Sequence, residues 1–247
     1  MTGVLPVSLV APAKLTLSLR VTGRRDDGYH LIDAEMVSLD FADRLTLEVG
    51  DSLTIDGWTG HDGHASPGLG PDEDNLVVRA LRLVGRRAAV TLHKVIPAGA
   101  GLGGGSSDAA AILRWAGFHD LNAAASLGAD VAFCLIGGRA RVRGIGEVVE
   151  PLPDVAMTMT LVTPPVVCST PEVYRAWDQL GGPTGEHGND LEPAALLVAP
   201  ELARWRDELA ERTGAQPRLA GSGSTWFVEG GFPEAGRVVS TVPAPSN

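Results

Sequence analysis

The chain has few cysteines and no long hydrophobic run, and each shortage excludes a class of protein. Its two cysteines, Cys134 and Cys168, lie far apart and match no metal-binding or redox spacing, so both are expected to be buried core thiols. No apolar segment approaches the length of a membrane span. The N-terminal residues lack the basic region of a signal peptide, which predicts a cytoplasmic protein with no membrane partner.

A basic surface is also missing, because 30 acidic residues outnumber 20 basic residues and the net charge is −10. The acidic residues are spread along the chain, which argues against a nucleic-acid partner. The hydrophobic content of 44% and charged content of 20% are those of a globular protein. A length of 247 residues suits one large or two small domains with a substantial core.

The most informative segment is the glycine-rich stretch Pro97–Asp108, in which five glycines fall within seven residues. A strand is predicted just before it, at 89–96, and the alanines after Asp108 predict a helix. Glycine permits positive φ angles and close approach of the backbone, and a helix N-terminus favours negative charge. The segment therefore predicts a phosphate-binding loop.

Other interpretations of this loop fit less well. Gly99-x-Gly101-x-x-Gly104 matches a dinucleotide fingerprint with Asp120 further on, but polar residues interrupt the preceding strand and Asp120 fits better as a helix N-cap. A Walker A loop would end in Gly-Lys-Ser/Thr, whereas this loop ends in Gly-Ser-Ser. A flexible linker would not be framed by a strand and an apolar helix.

Hydrophobic periodicity indicates a strand-rich first part and a mixed second part. Pro151 and Pro153 suggest a seam between them, which predicts an α+β protein with lobes at 1–152 and 153–247. Residues 57–74, with His61 and His64, are predicted to form a solvated loop rather than a metal site. Strands are predicted at 7–21, 29–41, 44–49, 89–96, 139–149 (a hairpin) and 156–163, and helices at 75–84, 106–116, 121–127, 171–180, 190–198 and 201–213.

Lys14 and Asp130 are the charged residues whose positions most need explanation. Lys14, one of only two lysines, lies in a strand of alternating pattern and is either a solvated edge residue or a catalytic cation. Asp130 precedes the apolar run 131–136 and is either the N-cap of a short helix or a base for a hydroxyl group. An Asp–Lys pair facing a phosphate loop would suit phosphoryl transfer, but both alternatives stay open. Tyr29 and Tyr174, the only tyrosines, could each stack on a base or pack at the rim of the core.

Three segments resemble the three motifs of the GHMP kinases, a superfamily of small-molecule kinases. They are Pro12-Ala-Lys14, the glycine-rich stretch Pro97–Asp108, and Leu219–Ser224. Within the superfamily, Arg25-Asp-Asp-Gly-Tyr-His-Leu31 and Leu127-Gly-Ala-Asp-Val131 are similar to the family of 4-diphosphocytidyl-2-C-methyl-D-erythritol kinases. The resemblance extends over about residues 11–227 and is most specific at Asp-Gly-Tyr-His.

The resemblance implies a two-lobed GHMP kinase fold, with a ribosomal-protein-S5-domain-2-like N-terminal lobe and a ferredoxin-like C-terminal lobe. It implies ATP-dependent phosphorylation of the 2-hydroxyl of 4-diphosphocytidyl-2-C-methyl-D-erythritol, in the non-mevalonate isoprenoid pathway. ATP and Mg²⁺ would be the cofactors, and a small molecule the substrate. Asp130 would be the catalytic base and Lys14 its electrostatic partner.

The resemblance also assigns binding residues. Thr16, Tyr29, His30 and Tyr174 would contact the substrate, and Ser107 is the candidate protein ligand of Mg²⁺. The ATP-binding residues would be Asn75, Lys94, Pro97, Ala98, Gly99, Ala100, Gly101, Leu102, Gly103, Gly104, Gly105, Ser106 and Ser107.

The chain departs from the family pattern in places. Thr16 stands where the family usually has Asn, Asp130-Val-Ala-Phe-Cys134 replaces Asp-Val-Pro-Phe-Phe, and the chain is shortened after Gly85, between Trp115 and Leu127, and after Trp226. Two alternatives therefore accompany the main hypothesis. One is a GHMP kinase for another alcohol, and the other is a nucleotide-binding homologue with weakened or lost catalysis.

Overall fold

The computed structural model describes residues 6–57 and 73–245, so His61 and His64 lie outside the described residues. The mixture of strands and helices confirms the predicted α+β class. None of the helices in these ranges has the length and hydrophobicity needed to span a bilayer. The strands are β1 (Val7–Arg24), β2 (His30–Glu48), β3 (Ser52–Gly57), β4 (Ala89–Lys94), β5 (Arg139–Gly144), β6 (Val148–Pro151), β7 (Thr158–Val162), β8 (Arg218–Leu219), β9 (Trp226–Glu229) and β10 (Arg237–Val242), and the helices are α1 (Leu76–Leu83), α2 (Gly104–Trp115), α3 (Leu121–Leu127), α4 (Val131–Ile136), α5 (Thr170–Gln179), α6 (Glu192–Val198) and α7 (Leu202–Thr213).

The long strand β2 organises the first part of the sheet. It pairs antiparallel with β1 over nearly its whole length, with β5 along its first half and with β4 at its end. The two strands predicted at 29–41 and 44–49 are thus one continuous strand. β3, which the sequence analysis missed, runs parallel to β4 and is largely exposed, so it carries little hydrophobic signal.

The second part of the sheet has the order β10-β7-β9-β8, with every neighbouring pair antiparallel. Counted along the chain, this is the fourth, first, third and second strand of a β-α-β-β-α-β unit, the arrangement expected of a ferredoxin-like lobe. A turn at 233–236 replaces the last helix of that unit. β10 also pairs with β2 at Leu39, so one sheet runs through both parts, and the boundary at residue 152 stays a prediction.

Candidate active site

The glycine-rich segment forms a loop between β4 and α2, as predicted. Helix α2 begins at Gly104, two residues earlier than expected, and its N-cap Gly103 has the left-handed conformation. No side chain caps this helix, and its first turn contains no acidic residue. The N–H groups of that turn are therefore available to a bound anion.

Close contacts explain two of the glycines in this loop. A Cβ atom on Gly103 would lie 2.6 Å from Cγ of Lys14, and a Cβ atom on Gly101 would lie 2.4 Å from the carbonyl oxygen of Ala220. Both glycines also have positive φ angles, 67° and 75°. The loop is thus held between β1 and a second glycine-rich turn that begins at Ala220.

Lys14 and Asp130 form an ion pair in which Nζ lies 3.2 Å from Oδ2. The Lys14 ammonium also donates to Thr16 Oγ1 at 3.0 Å. The Lys14 side chain is only 5% exposed, whereas that of Asp130 is 29% exposed. The solvated-edge interpretation of Lys14 is therefore wrong: β1 is covered on both faces here, and the β1–β2 register shifts between Pro12 and Lys14.

Asp130 occupies the N-cap position of α4, as one of its two interpretations proposed. Its side chain makes no capping hydrogen bond, however. The carboxylate instead reaches Lys14. The start of α4 thus fixes the backbone of Asp130 while its carboxylate stays available to the cavity.

An aromatic group, made of the side chains of His30, Tyr174 and Trp177, forms the opposite side of this region. The rings of His30, at the start of β2, and Tyr174, in α5, stack with centroids 4.7 Å apart and planes 22° apart. Trp177 meets His30 edge-on at 5.6 Å. Burial raises the pKa of Tyr174. Tyr29 is 62% exposed, so it does not pack at the rim of the core, which was the alternative interpretation of this residue.

One cavity of about 480 Å³ joins these parts of the molecule. Its lining brings together residues from β1, β2, the glycine-rich loop, the start of α4 and helix α5. Predicted site residues that line it are Lys14, Thr16, Tyr29, His30, Gly101, Asp130 and Tyr174, together with Ser222 of the motif Leu219–Ser224. Lining residues that the sequence analysis missed include Arg24, Thr170, Arg175 and Asp178.

The sequence of this chain is similar to those of known kinases. Residues 75–138 match the GHMP kinases N terminal domain. A protein of Paracoccus denitrificans named 4-diphosphocytidyl-2-C-methyl-D-erythritol kinase is 40% identical, in an alignment that covers 88% of this chain and 84% of that protein. The chain belongs to the 4-diphosphocytidyl-2-C-methyl-D-erythritol kinase family. A relative of the same name from Ruegeria pomeroyi is 37% identical, in an alignment that covers 96% of this chain and 92% of its own.

Solved structures agree with this family and with the GHMP kinase fold. A crystal structure of 4-(cytidine 5'-diphospho)-2C-methyl-D-erythritol kinase has a TM-score of 0.74 and 31% identity, covering 96% of this chain and 99% of that one. The L. major mevalonate kinase has a TM-score of 0.62 at 15% identity, covering 98% of this chain and 99% of its own, and shows a shared fold alone.

In this member of the kinase family, Lys94 supports the glycine-rich loop from inside. Its buried ammonium donates to Asp43 and, at 2.7 Å, to Asp108 Oδ2. A Cβ atom on Gly104 would lie 3.1 Å from Lys94 Nζ, so the ammonium lies directly behind the loop. Lys94 is therefore near the predicted ATP site, but its charge is paired with carboxylates. Asn75, the N-cap of α1, is likewise buried.

The pKa of Asp108 is raised to about 7, mainly by burial and against the attraction of Lys94. Its folded pKa thus exceeds the unfolded value of 3.8, and the folded kinase binds a proton that the unfolded chain has released. This contribution to the free energy of unfolding is complete below pH 4 and is lost as pH rises to about 7.

We expect Asp108→Asn to remove this loss, because the amide cannot ionise and its oxygen can still accept from Lys94. The melting temperature of the variant should rise relative to that of the wild type between about pH 4 and pH 7, and the gap should then stay constant. Thermal unfolding of both proteins from pH 4 to pH 8 measures this. Parallel curves would contradict the raised pKa.

Ser107, the candidate protein ligand of Mg²⁺, is buried in this structure, and that role stays a prediction. Its hydroxyl donates to the Pro12 carbonyl at 2.5 Å, and the residue is 1% exposed. Within the described ranges, no group of three or more His, Cys, Asp or Glu residues could hold a metal ion.

Asn189 is a supporting residue that the sequence analysis missed. Its buried amide donates to the carbonyls of Leu219 at 2.9 Å and Gly221 at 2.7 Å. A Cβ atom on Gly221 would lie 3.5 Å from Lys14 Nζ, so Asn189 holds the second glycine-rich turn against the ion pair. The only sequence signal was a short polar segment, Gly188-Asn-Asp190, before an apolar helix.

Proposed function

We propose that this kinase transfers the γ-phosphoryl group of ATP to the 2-hydroxyl of 4-diphosphocytidyl-2-C-methyl-D-erythritol, a step of non-mevalonate isoprenoid biosynthesis. This substrate is the compound that appears in the names of the relatives. The observation that carries the proposal is the Lys14–Asp130 ion pair, which lies in a cavity with the glycine-rich loop on one side and an aromatic group on the other.

In the proposed reaction, Asp130 accepts the proton of the 2-hydroxyl as the oxygen attacks the γ-phosphorus. The new oxygen–phosphorus bond forms as the bond to the β,γ-bridging oxygen breaks, and ADP leaves with that oxygen. The Lys14 ammonium donates to Thr16 and lies 3.2 Å from the Asp130 carboxylate, and its positive charge can stabilise the negative charge on the attacking oxygen. Alignment and charge stabilisation supply most of the catalysis of phosphoryl transfer.

The glycine-rich loop is the proposed binding site for the ATP phosphates. Support comes from the uncapped first turn of α2, where N–H groups and the positive end of the helix dipole would favour a bound anion. Thr16, which replaces the usual Asn, is proposed to hold the Lys14 ammonium toward Asp130. Mg²⁺ is proposed to arrive with ATP, bound by its phosphate oxygens.

Tyr29→Ala is expected to raise KM for the cytidylyl substrate by about 10-fold, because base–aromatic stacking contributes on the order of 1–3 kcal/mol per base. Tyr29 is an exposed aromatic residue of the cavity lining, available to a base. The KM for ATP and kcat should change little. Steady-state kinetics with each substrate varied in turn measure these constants.

Tyr29→Phe is the matched control, since it keeps the ring and removes only the hydroxyl, and its KM should stay near that of the wild type. Equal effects of Tyr29→Ala on the KM values of both substrates would contradict the assignment of Tyr29 to the base.

ADP release measured with the authentic substrate tests the proposed function directly. Turnover with this substrate, and no turnover with the alcohols that other GHMP kinases phosphorylate, would support the proposed function. Turnover with a different alcohol only, or ATP binding with no turnover, would favour one of the two alternatives. Tyr29 and His30 argue against another alcohol, and the paired Lys14 and Asp130 argue against lost catalysis.

A further inference from the structure

The turn between β5 and β6 lies against the backbone of the proposed general base. The turn comprises residues 145–147, and its middle residue, Gly146, is buried and has a φ angle of 117°. A Cβ atom on Gly146 would overlap the carbonyl oxygen of Ala129 and would lie 2.9 Å from the carbonyl carbon of that residue. Because Ala129, Asp130 and Ile145 all line the cavity, this contact lies at the edge of the candidate active site.

The carboxylate of Asp130 depends on the backbone of this residue for its direction. The side chain makes no capping hydrogen bond to α4, and it is paired with Lys14 at 3.2 Å. A peptide unit is planar, so the carbonyl group of Ala129 moves together with the N and Cα atoms of Asp130. The contact between Gly146 and Ala129 therefore sets how closely the backbone of Asp130 can approach the turn.

The turn is itself held in shape by the carboxylate of Glu147. Its Oε2 atom accepts a hydrogen bond from the N–H of Ile145 at 2.6 Å. The same carboxylate lies against Gly144, where a Cβ atom would overlap both of its oxygen atoms. Gly144 also faces Ile32 in the β2–β5 register, so the turn continues directly from a paired strand of the sheet. A group that is supported by a strand is held more precisely than one supported by a free loop.

We propose that the β5–β6 turn is a positioning element for Asp130. Gly146 lets the turn support the peptide between Ala129 and Asp130, and Glu147 keeps the turn in shape. Neither Gly146 nor Glu147 is among the residues that line the cavity, so both act through Asp130. The inference rests on the proposed function, because it takes Asp130 as the group that accepts the proton of the hydroxyl.

Gly146→Ala tests the proposal, because the added methyl group must displace the carbonyl group of Ala129. Misplacement of a reacting group by about 1 Å can cost on the order of 10²-fold in rate, so we expect kcat with the cytidylyl substrate to fall by about 10²-fold. The KM for ATP should stay near that of the wild type, since the glycine-rich loop is unchanged. Steady-state kinetics with each substrate varied in turn measure these constants.

Gly117→Ala is the matched control. Gly117 also has a positive φ angle, 70°, but nothing lies within 4 Å of the position that its Cβ atom would take. Both variants place alanine in a conformation that favours glycine, so both should lose some stability. Only Gly146→Ala should lose turnover, and equal kcat values for the two variants would overturn the proposal.

Two substitutions of Glu147 test the turn without adding a methyl group against Ala129. Glu147→Ala removes the acceptor of the Ile145 N–H and should lower kcat by about 10-fold, as for a lost hydrogen bond to a charged group. Glu147→Gln keeps an oxygen that can accept this bond, so it should recover most of that loss. A wild-type kcat in Glu147→Ala would contradict the proposed role of the turn.

A double-mutant cycle separates positioning from a merely structural effect. If Gly146 acts through Asp130, adding Gly146→Ala to Asp130→Asn should change kcat little further, because the base that it positions is already gone. A structural effect would lower kcat by the same factor in both backgrounds and would overturn the proposal.

Failure of the two hypotheses is distinguishable. A wild type inactive on the cytidylyl substrate refutes the proposed function and the inference resting on it. An active wild type that loses turnover in Asp130→Asn, but keeps it equally in Gly146→Ala and Gly117→Ala, refutes the inference alone.

Discussion

Asp130→Asn is expected to lower kcat by about 10²–10⁴-fold, the usual loss when a general base is removed. The amide has nearly the same shape as the carboxylate but cannot accept the proton of the substrate hydroxyl. Because the Asp130 side chain makes no capping bond to α4, its replacement should leave the helix intact. The buried Lys14 ammonium then faces an amide oxygen instead of a carboxylate, so some stability is lost, but much less than turnover. The effect should therefore fall on turnover, and ATP affinity should survive.

Asp120→Asn is a matched control for this prediction. Asp120 is also a helix N-cap, but its Oδ1 accepts from the Ala123 N–H at 3.1 Å, a bond that asparagine can also make. The control should keep full turnover and stability. Single-turnover kinetics and calorimetric titration with ADP separate chemistry from nucleotide binding. Near-full activity of Asp130→Asn would show that another group accepts the proton.

Features of the site that depend on local sequence were predictable. The glycine-rich loop, its flanking strand and helix, and helix α3 with its cap at Asp120 follow from turn chemistry and capping. Each depends on residues close together in the chain, where spacing alone sets the geometry. The start of α2 differed by two residues because glycines can enter the first turn of a helix as well as a loop.

Features that depend on pairing between distant segments were not predictable from the pattern alone. The alternation of β1 placed Lys14 on a polar face, yet helices and loops cover that face and bury the lysine. Asp178 carried no signal at all, because its contact with His30 depends on where α5 lies relative to β2. The sequence was equally silent about Asp43, whose burial with Lys94 depends on the pairing of β2 with β4.

Lys94→Met is expected to lower the free energy of unfolding by about 3–5 kcal/mol, because it removes one partner from a buried ion cluster. The side chains of Asp43 and Asp108 are 0% and 3% exposed, so water cannot replace the ammonium. Denaturant unfolding at pH 8 measures the loss. The glycine-rich loop should also loosen, since Lys94 lies directly behind Gly104, and KM for ATP should rise.

Lys14→Met is the matched control, since these are the only two lysines of the chain and both are buried. Asp130, the partner of Lys14, is 29% exposed and can be solvated when the ammonium is lost. Lys14→Met should therefore abolish most turnover with a much smaller loss of stability. Lys94→Met, assayed at a temperature at which it stays folded, should show the reverse: a large loss of stability and a smaller loss of turnover. Equal destabilisation by the two variants would mean that the Lys14–Asp130 pair is also structural. Loss of turnover with unchanged stability in Lys94→Met would instead assign this second lysine to the chemistry of the phosphates.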